Sequence, residues 1–217
     1  TIPWYENNGA AYPTFTAANI ATSADGAYDV QVADLDGDGD LDIVSASVVD
    51  DTIAWYENDG AANPSWSAAN IATNADGANG VFLADIDGDG DIDIVATVTD
   101  KKTVSAYYND GNGNFKRKTV VNAGKRYNNV QLWDIDNDGN LDMILDGSDP
   151  STVVYWGDGK GKFKSKTVIN GLNTRNMQDA EFTDLDKDGN VDILLLSSLK
   201  GSNRKWYSGS VSYTHLR

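Results

Sequence analysis

Four short acidic stretches carry most of the chemistry that this sequence offers. Residues 34–42 read DLDGDGDLD, and the same order of Asp and Gly returns at 85–93, 134–142 and 184–192. All fit D-x-D-x-D-G-(D/N)-x-D, with carboxylates at positions 1, 3, 5 and 9 and Gly at position 6. Carboxylates crowded into one turn repel each other, and a hard cation that takes oxygen ligands relieves the repulsion. The pattern therefore predicts four Ca²⁺ sites.

Each position of the repeated loop has its own expected role. Side chains at positions 1, 3 and 5 can converge on one point, and Gly at position 6 allows a sharp turn. Position 7 offers its carbonyl whatever its side chain is, and position 9 closes the cage. The predicted metal-ligating residues are Asp34, Asp36, Asp38, Asp40 and Asp42; Asp85, Asp87, Asp89, Asp91 and Asp93; Asp134, Asp136, Asp138, Asn140 and Asp142; and Asp184, Asp186, Asp188, Asn190 and Asp192.

Two other interpretations of these loops compete with a calcium site of this kind. An EF-hand needs Glu at loop position 12 and a helix on each side. Position 12 is instead Ser45, Ala96, Leu145 and Leu195, and the flanks read as strands. A single Asp/Gly-rich turn could also bind nothing, but four copies with one ligand order favour metal binding.

Composition limits the remaining function classes. The 217 residues are 40% hydrophobic with a formal net charge of −16, which is typical of a folded acidic protein and disfavours nucleic acid as a partner. Cysteine is absent, and the only His is His215, so neither a thiol nucleophile nor a catalytic triad can be built and we expect no enzyme. The apolar run at 193–196 is too short to insert into a membrane.

The expected affinity of these calcium sites indicates where the protein works. Repeated weak carboxylate sites have affinities of roughly 10⁻⁴–10⁻³ M and fill only at extracellular calcium levels. We therefore expect an extracellular or cell-surface protein. The chain opens at Thr1 without Met or a signal peptide, which predicts a processed product or a fragment.

A repeat of about 50 residues organises the chain. The loops begin at 34, 85, 134 and 184, and strand signals surround each of them. A period near this length in an all-strand pattern predicts an all-β fold, a β-propeller of four-stranded antiparallel blades. We expect strand A at 28–34, 79–85, 128–134 and 178–184. A column of tyrosines on strand C is expected to pack blade against blade rather than stack on sugars: Tyr5, Tyr56, Tyr107, Tyr155 and Tyr207.

The motifs resemble a known family. Besides the acidic turns, W-Y-E-N-(N/D)-G stands at 4–9 and 55–60, and G-x-G-x-F stands at 111–115 and 159–163. Together they look like FG-GAP/VCBS repeats, similar to those of the integrin α-chain propeller and closer to the bacterial VCBS type. The resemblance implies Ca²⁺ in the A–B hairpins of an extracellular propeller, often seven-bladed, used for adhesion or ligand binding.

Assigning the predicted strands to repeats gives the expected domain organisation, a single propeller region of about four blades. It comprises a partial blade with strands C and D at 1–27, blades at 28–78, 79–127 and 128–177, an incomplete blade at 178–210 and a suspect non-native tail at 211–217. Strand C would be present twice in a four-bladed ring, so we expect this chain to be part of a larger, seven-bladed one. The unpaired blade surfaces of such a part would promote self-association.

The predicted function is a calcium-stabilised binding module for an extracellular glycan or protein. A lyase-like polysaccharide-degrading enzyme and a structural spacer in a large surface protein are the alternatives. In an up-and-down blade, A–B and C–D hairpins share one face, and B–C turns and D–A connections share the other. The second face carries the candidate ligand-binding residues Tyr28, Arg126, Tyr127 and Arg175, which suit an anionic glycan or an acidic protein segment.

Overall fold

The computed structural model describes residues 1–147, 152–169, 177–188 and 191–197, and every regular element in them is a β-strand. Within these residues no helix is long and apolar enough to cross a membrane. The strands are β1 (Ile2–Asn7), β2 (Phe15–Ala21), β3 (Ala27–Ala33), β4 (Asp42–Ser47), β5 (Thr52–Asn58), β6 (Trp66–Ala72), β7 (Ala78–Ala84), β8 (Asp93–Val98), β9 (Thr103–Tyr108), β10 (Lys116–Asn122), β11 (Asn129–Trp133), β12 (Asp142–Asp146), β13 (Thr152–Gly157), β14 (Phe163–Ile169), β15 (Met177–Thr183) and β16 (Asp192–Ser197).

Consecutive strands pair in antiparallel sheets, which confirms the predicted all-β architecture. Three sheets have four strands each, in the orders β3-β4-β5-β6, β7-β8-β9-β10 and β11-β12-β13-β14. The pairs β1-β2 and β15-β16 form two-stranded sheets. They correspond to strands C and D of one repeat and strands A and B of another.

The acidic loops join strand A to strand B in each repeat. The residue before the loop pairs with the Asp at position 9, as in Ala33 with Asp42 and Ala84 with Asp93. Strands A therefore end before the Asp at position 1, one residue earlier than we expected, because that Asp already belongs to the loop. This register brings both ends of each acidic stretch together.

Adjacent four-stranded sheets pack face to face through apolar side chains. Val44, Trp55, Val81, Ile94 and Tyr107 lie in one core cluster shared by the first two sheets. A second cluster joins the next pair and includes Val95, Val104, Val130, Met143 and Tyr155. Strand β7 contacts both β3 and β11, so strands A of successive sheets lie side by side. Consecutive blades of a β-propeller pack in the same way.

The tyrosine column packs between sheets as expected where the structure describes a neighbouring sheet. Tyr56, Tyr107 and Tyr155 are 4%, 1% and 8% exposed, whereas Tyr5 is 59% exposed. Tyr207 lies outside the described residues. Burial by a neighbouring sheet therefore decides whether a member of the column belongs to the core.

Strand β3 shows the same dependence on a neighbour. Val30 and Val32 are 46% and 55% exposed, although the equivalent Val81, Val130 and Leu132 are 1%, 1% and 2% exposed. The first strand of the first complete sheet thus presents an apolar face to solvent in the described structure.

Candidate metal centres

In each acidic loop the structure brings three of the predicted ligands together, those at positions 1, 3 and 9. Carboxylate oxygens of Asp34, Asp36 and Asp42 all lie within 4.8 Å of one another. Two oxygens that each lie about 2.4 Å from one cation can be at most about 4.8 Å apart, so this spacing suits a shared ion. The same arrangement is formed by Asp85, Asp87 and Asp93, by Asp134, Asp136 and Asp142, and by Asp184, Asp186 and Asp192.

The Asp at position 1 shapes the loop. Asp34 accepts the backbone N–H groups of Gly37 at 2.8 Å and Gly39 at 3.0 Å, one with each carboxylate oxygen. Asp85 accepts the equivalent groups of Gly88 and Gly90 at 2.7 and 3.0 Å. The carboxylate is therefore fixed by the chain itself and is held ready for a ligand.

Position 4 adopts a left-handed backbone in every loop, which we did not predict. Its φ is +77° at Gly37 and +81° at Gly88, but +58° at Asn137 and +62° at Lys187. The glycine at position 6 has the positive φ that its type predicts, for example +95° at Gly39. Both bends turn the chain back on itself so that positions 1 and 3 face the same point.

The Asp at position 9 ties the loop to two other parts of its sheet. Asp42 accepts the N–H of Leu35 at 3.2 Å with one oxygen and the N–H of Asn58 at 2.9 Å with the other. Asp93 and Asp142 make the equivalent pairs of bonds. These side chains are at most 1% exposed. We had assigned position 9 only as a ligand; its place at the start of a buried strand is the sequence signal for this second role.

Positions 5 and 7 lie outside these groups of three. The position 5 carboxylates of Asp38, Asp89 and Asp138 accept the N–H of position 7 at 2.9, 3.0 and 2.8 Å and so stabilise the turn. The position 7 side chains contact a glycine in the C–D turn of the same sheet, in the pairs Asp40 with Gly60, Asp91 with Gly111 and Asn140 with Gly159. We predicted that position 7 binds through its carbonyl, and that prediction does not depend on where these side chains lie. Asn190 lies outside the described residues.

Burial and like charges disfavour the ionised form of the clustered carboxyls. Burial raises the pKa of Asp93 to about 6, and the charges of Asp87 and Asp89 add to the effect. Burial likewise raises the pKa of Asp142 to about 6, with Asp136 and Asp138 adding to it. A divalent cation among these oxygens would offset both effects.

The donor set fits a hard divalent cation. Asp87 Oδ1 is buried and has no hydrogen-bond partner, which leaves one acceptor of this carboxylate without a donor. Among the described residues, no Lys or Arg forms an ion pair with a carboxylate of the first three loops. Oxygen donors alone suit Ca²⁺ or Mg²⁺, and three carboxylates in one loop suit Ca²⁺ better, because Mg²⁺ keeps several of its waters and is usually bound through only one or two carboxylates.

The opposite face is formed by the B–C turns and the D–A connections. Asp50 accepts the N–H of Asp25 at 3.2 Å, and Asp51 accepts the N–H of Gly77 at 2.7 Å, so these turns hold the connections in place. The turns and connections therefore share one end of the sheets, and the acidic loops share the other with the C–D turns.

The four candidate ligand-binding residues differ in their exposure on this face. Tyr28 is 65% exposed. Arg126 is exposed and pairs with Asp100 at 2.9 Å. Tyr127 is only 5% exposed and packs in the core cluster of the second and third sheets, so our assignment of this residue to a ligand-binding surface is wrong. Arg175 lies outside the described residues.

Fold and loops together define a repeat protein of packed four-stranded β-sheets with one acidic, metal-type loop in each repeat. The chain belongs to the FG-GAP-like repeat family, whose sequence profile matches residues 1–45, 39–96, 85–145 and 134–195. Each match contains at least one complete acidic loop, and the last two matches contain two. None of the curated proteins compared with the chain matches it.

A solved structure shares the fold. It is a lectin from Agrocybe aegerita, described for its specific recognition of non-reducing terminal N-acetylglucosamine. The two are 22% identical with a TM-score of 0.62, and the match covers 87% of this chain and 54% of the lectin. The chain therefore spans about half the length of this lectin.

Proposed function

We propose that this chain is a Ca²⁺-stabilised β-propeller module that binds a glycan or protein ligand outside the cell and has no catalytic activity. The observation that carries the metal part is the convergence of three carboxylates in each of four loops. Asp34, Asp36 and Asp42 and their counterparts would hold the ion. When bound, Ca²⁺ supplies positive charge that offsets the crowded carboxylates.

A structural role for the ion is supported by what its ligands already hold. The position 1 and position 9 carboxylates accept backbone N–H groups from their own loop and from the start of the C–D turn. An ion bound to them would link strand A, strand B and the C–D turn of one sheet. Binding to the folded state alone stabilises it by about 1.4 kcal/mol per site at ten times Kd.

The ligand-binding part of the proposal is supported by the fold shared with a lectin and by the surface opposite the acidic loops. Tyr28 is exposed there and Arg126 presents a cation at the same end of the sheets. An exposed aromatic ring and a guanidinium at the same end of the sheets suit a sugar that carries an acidic group. We propose this face for an anionic glycan.

A larger ring is the context that we propose for these sheets. The exposed apolar face at Val30 and Val32 has the character that the equivalent residues bury against a preceding sheet. A further blade packed there would complete the pattern, as expected for a seven-bladed ring.

Thermal melting with and without calcium tests the metal proposal. Asp87→Asn removes a position 3 ligand, and Asp40→Asn is the matched control because it removes the same charge from a residue that is already Asn in the third loop. We expect calcium to raise the Tm of the wild type and of Asp40→Asn, and to raise the Tm of Asp87→Asn less. An equal calcium effect in all three chains would contradict the proposed ligands.

A glycan array tests the ligand face. Tyr28→Ala and Arg126→Ala should each weaken binding to an anionic glycan and leave the calcium-dependent Tm unchanged. Tyr12→Ala is the control, since Tyr12 is 93% exposed but lies in the β1-β2 turn, at the end that carries the acidic loops. Loss of binding only in Tyr12→Ala would move the site to that end.

A further inference from the structure

Asn109 contacts two acidic loops at once. It directly follows β9 and is 5% exposed. Its backbone N–H donates to Asp93 Oδ1 at 2.8 Å, and its Nδ2 donates to the carbonyl of Ile92 at 3.0 Å, both in the loop of its own sheet. The same Nδ2 donates to the carbonyl of Leu35 at 2.6 Å, in the loop of the preceding sheet.

A contact with the Leu35 peptide bears directly on the first metal site. Leu35 occupies position 2, between the candidate ligands Asp34 and Asp36. Its N–H donates to Asp42 Oδ2 at 3.2 Å, and its side chain is 1% exposed in the cluster between the first two sheets. A shift of this peptide would move ligands on both sides of it, so a bond that fixes its carbonyl also fixes the first site.

The equivalent residues in the other repeats show which part of this arrangement depends on the side chain. Asn58 makes the same bonds to its own loop, from its N–H to Asp42 and from its Nδ2 to the carbonyl of Leu41, but the sheet before it, β1-β2, has no acidic loop that its side chain could reach. Gly157 makes only the backbone bond, to Asp142. There the link to the preceding loop is a main-chain bond instead, from Gly161 N–H to the carbonyl of Ile86 at 2.8 Å.

We propose that Asn109 is a positioning residue that couples the first and second metal sites, so that occupation of either raises the calcium affinity of the other. This rests on the calcium binding proposed above. Ordering of the first loop fixes the Leu35 carbonyl and with it the Asn109 side chain, which in turn fixes the Ile92 carbonyl, next to the candidate ligand Asp93 in the second loop. The second binding event then loses less conformational entropy. Coupling between two binding sites is reciprocal.

A calcium titration followed by amide hydrogen exchange reads each loop separately. Asp36→Asn disables the first loop, and the calcium midpoint for protection of residues 85–93 is then measured. We expect the midpoint to rise about fivefold relative to the wild type. In an Asn109→Ala background, Asp36→Asn should leave the midpoint unchanged, whereas in the matched Asn58→Ala background the rise should persist. Glu57→Gln, which removes one charge from an exposed residue of the same sheet outside the acidic loop, should not shift it.

The outcomes separate the two proposals. Calcium-dependent protection of residues 85–93 that is insensitive to Asp36→Asn in the wild type overturns the coupling and leaves calcium binding intact. An equal shift with and without Asn109→Ala overturns the role of Asn109. No calcium-dependent protection in the wild type overturns calcium binding and the coupling together. If Asn109→Ala does not fold, Asn109→Ser takes its place, and the comparison of wild type with Asp36→Asn still tests the coupling.

Discussion

Asp93 Oδ1 accepts the backbone N–H of Asn109 at 2.8 Å, so a candidate metal ligand at the start of β8 also holds the first residue after β9. Its other oxygen accepts the N–H of Ile86 at 3.1 Å. The same carboxylate thus belongs to the scaffold and to the metal group. Asp87 Oδ1, by contrast, has no hydrogen-bond partner. Substitutions at Asp93 and Asp87 should therefore have different effects in the absence of metal.

Asp93→Ala should destabilise the chain even in EDTA, because two buried N–H groups lose their acceptor. The expected loss is about 2–4 kcal/mol in the free energy of unfolding. Asp87→Asn should cost little in EDTA, since Asp87 Oδ1 has no hydrogen-bond donor, and should instead reduce the stabilisation by calcium. Urea unfolding of both variants with EDTA and with calcium measures this. Equal losses in EDTA would contradict the division of roles.

Backbone conformation in the loop predicts a contrast between two glycines. Gly39 has a φ of +95°, and no atom lies within 4 Å of the position of an added Cβ, so Gly39→Ala adds backbone strain alone. We expect a loss of about 1–3 kcal/mol. Gly37→Asn should be nearly neutral because Asn137 occupies the same loop position with a φ of +58°. Chemical denaturation of both variants checks the order, and the reverse order would show that the strain lies at position 4.

Asp146 should make stability depend on pH. It is 7% exposed at the end of β12, and burial raises its pKa to about 7. The folded chain therefore binds this proton more tightly than the unfolded chain, whose Asp has a pKa of about 3.9. The stabilisation is complete below about pH 4 and is lost as the pH rises to about 7.

Asp146→Asn removes this dependence, because its amide oxygen can still accept the N–H of Gly147. At pH 8 the variant should be more stable than the wild type by about 2–4 kcal/mol, and near pH 4 the two should be similar. Urea unfolding across this pH range in EDTA is the measurement. A constant difference between the two chains at every pH would contradict the assignment.

The exposed face of β3 predicts self-association. Val30 and Val32 present apolar surface and a strand face that equivalent residues bury. Val30→Asp should lower the mean mass seen by sedimentation velocity at high protein concentration. Tyr12→Asp removes an exposed aromatic elsewhere and should not. A monomeric wild type at every concentration would contradict the expectation.

The repeat made the strands and the loops predictable, since the period of about 50 residues and the alternation of apolar residues both follow from the sequence. The three-carboxylate groups were contained in the predicted ligand set for the same reason. The contact of each position 7 side chain with a glycine could not be predicted, because that glycine lies in a different hairpin. Tyr127 was assigned to the surface because its repeat position falls in a connection, and only sheet packing shows that the ring is buried. The bond from Asn109 to Leu35 spans two sheets, and no local pattern predicts it.

Calcium stoichiometry tests the central proposal most directly. The metal-free chain, titrated by isothermal calorimetry, should bind four Ca²⁺, one for each three-carboxylate group. The combined variant Asp36→Asn, Asp87→Asn and Asp136→Asn should bind one, whereas Asp40→Asn should still bind four. Absence of binding heat at millimolar calcium, together with a Tm that EDTA does not change, would contradict the account.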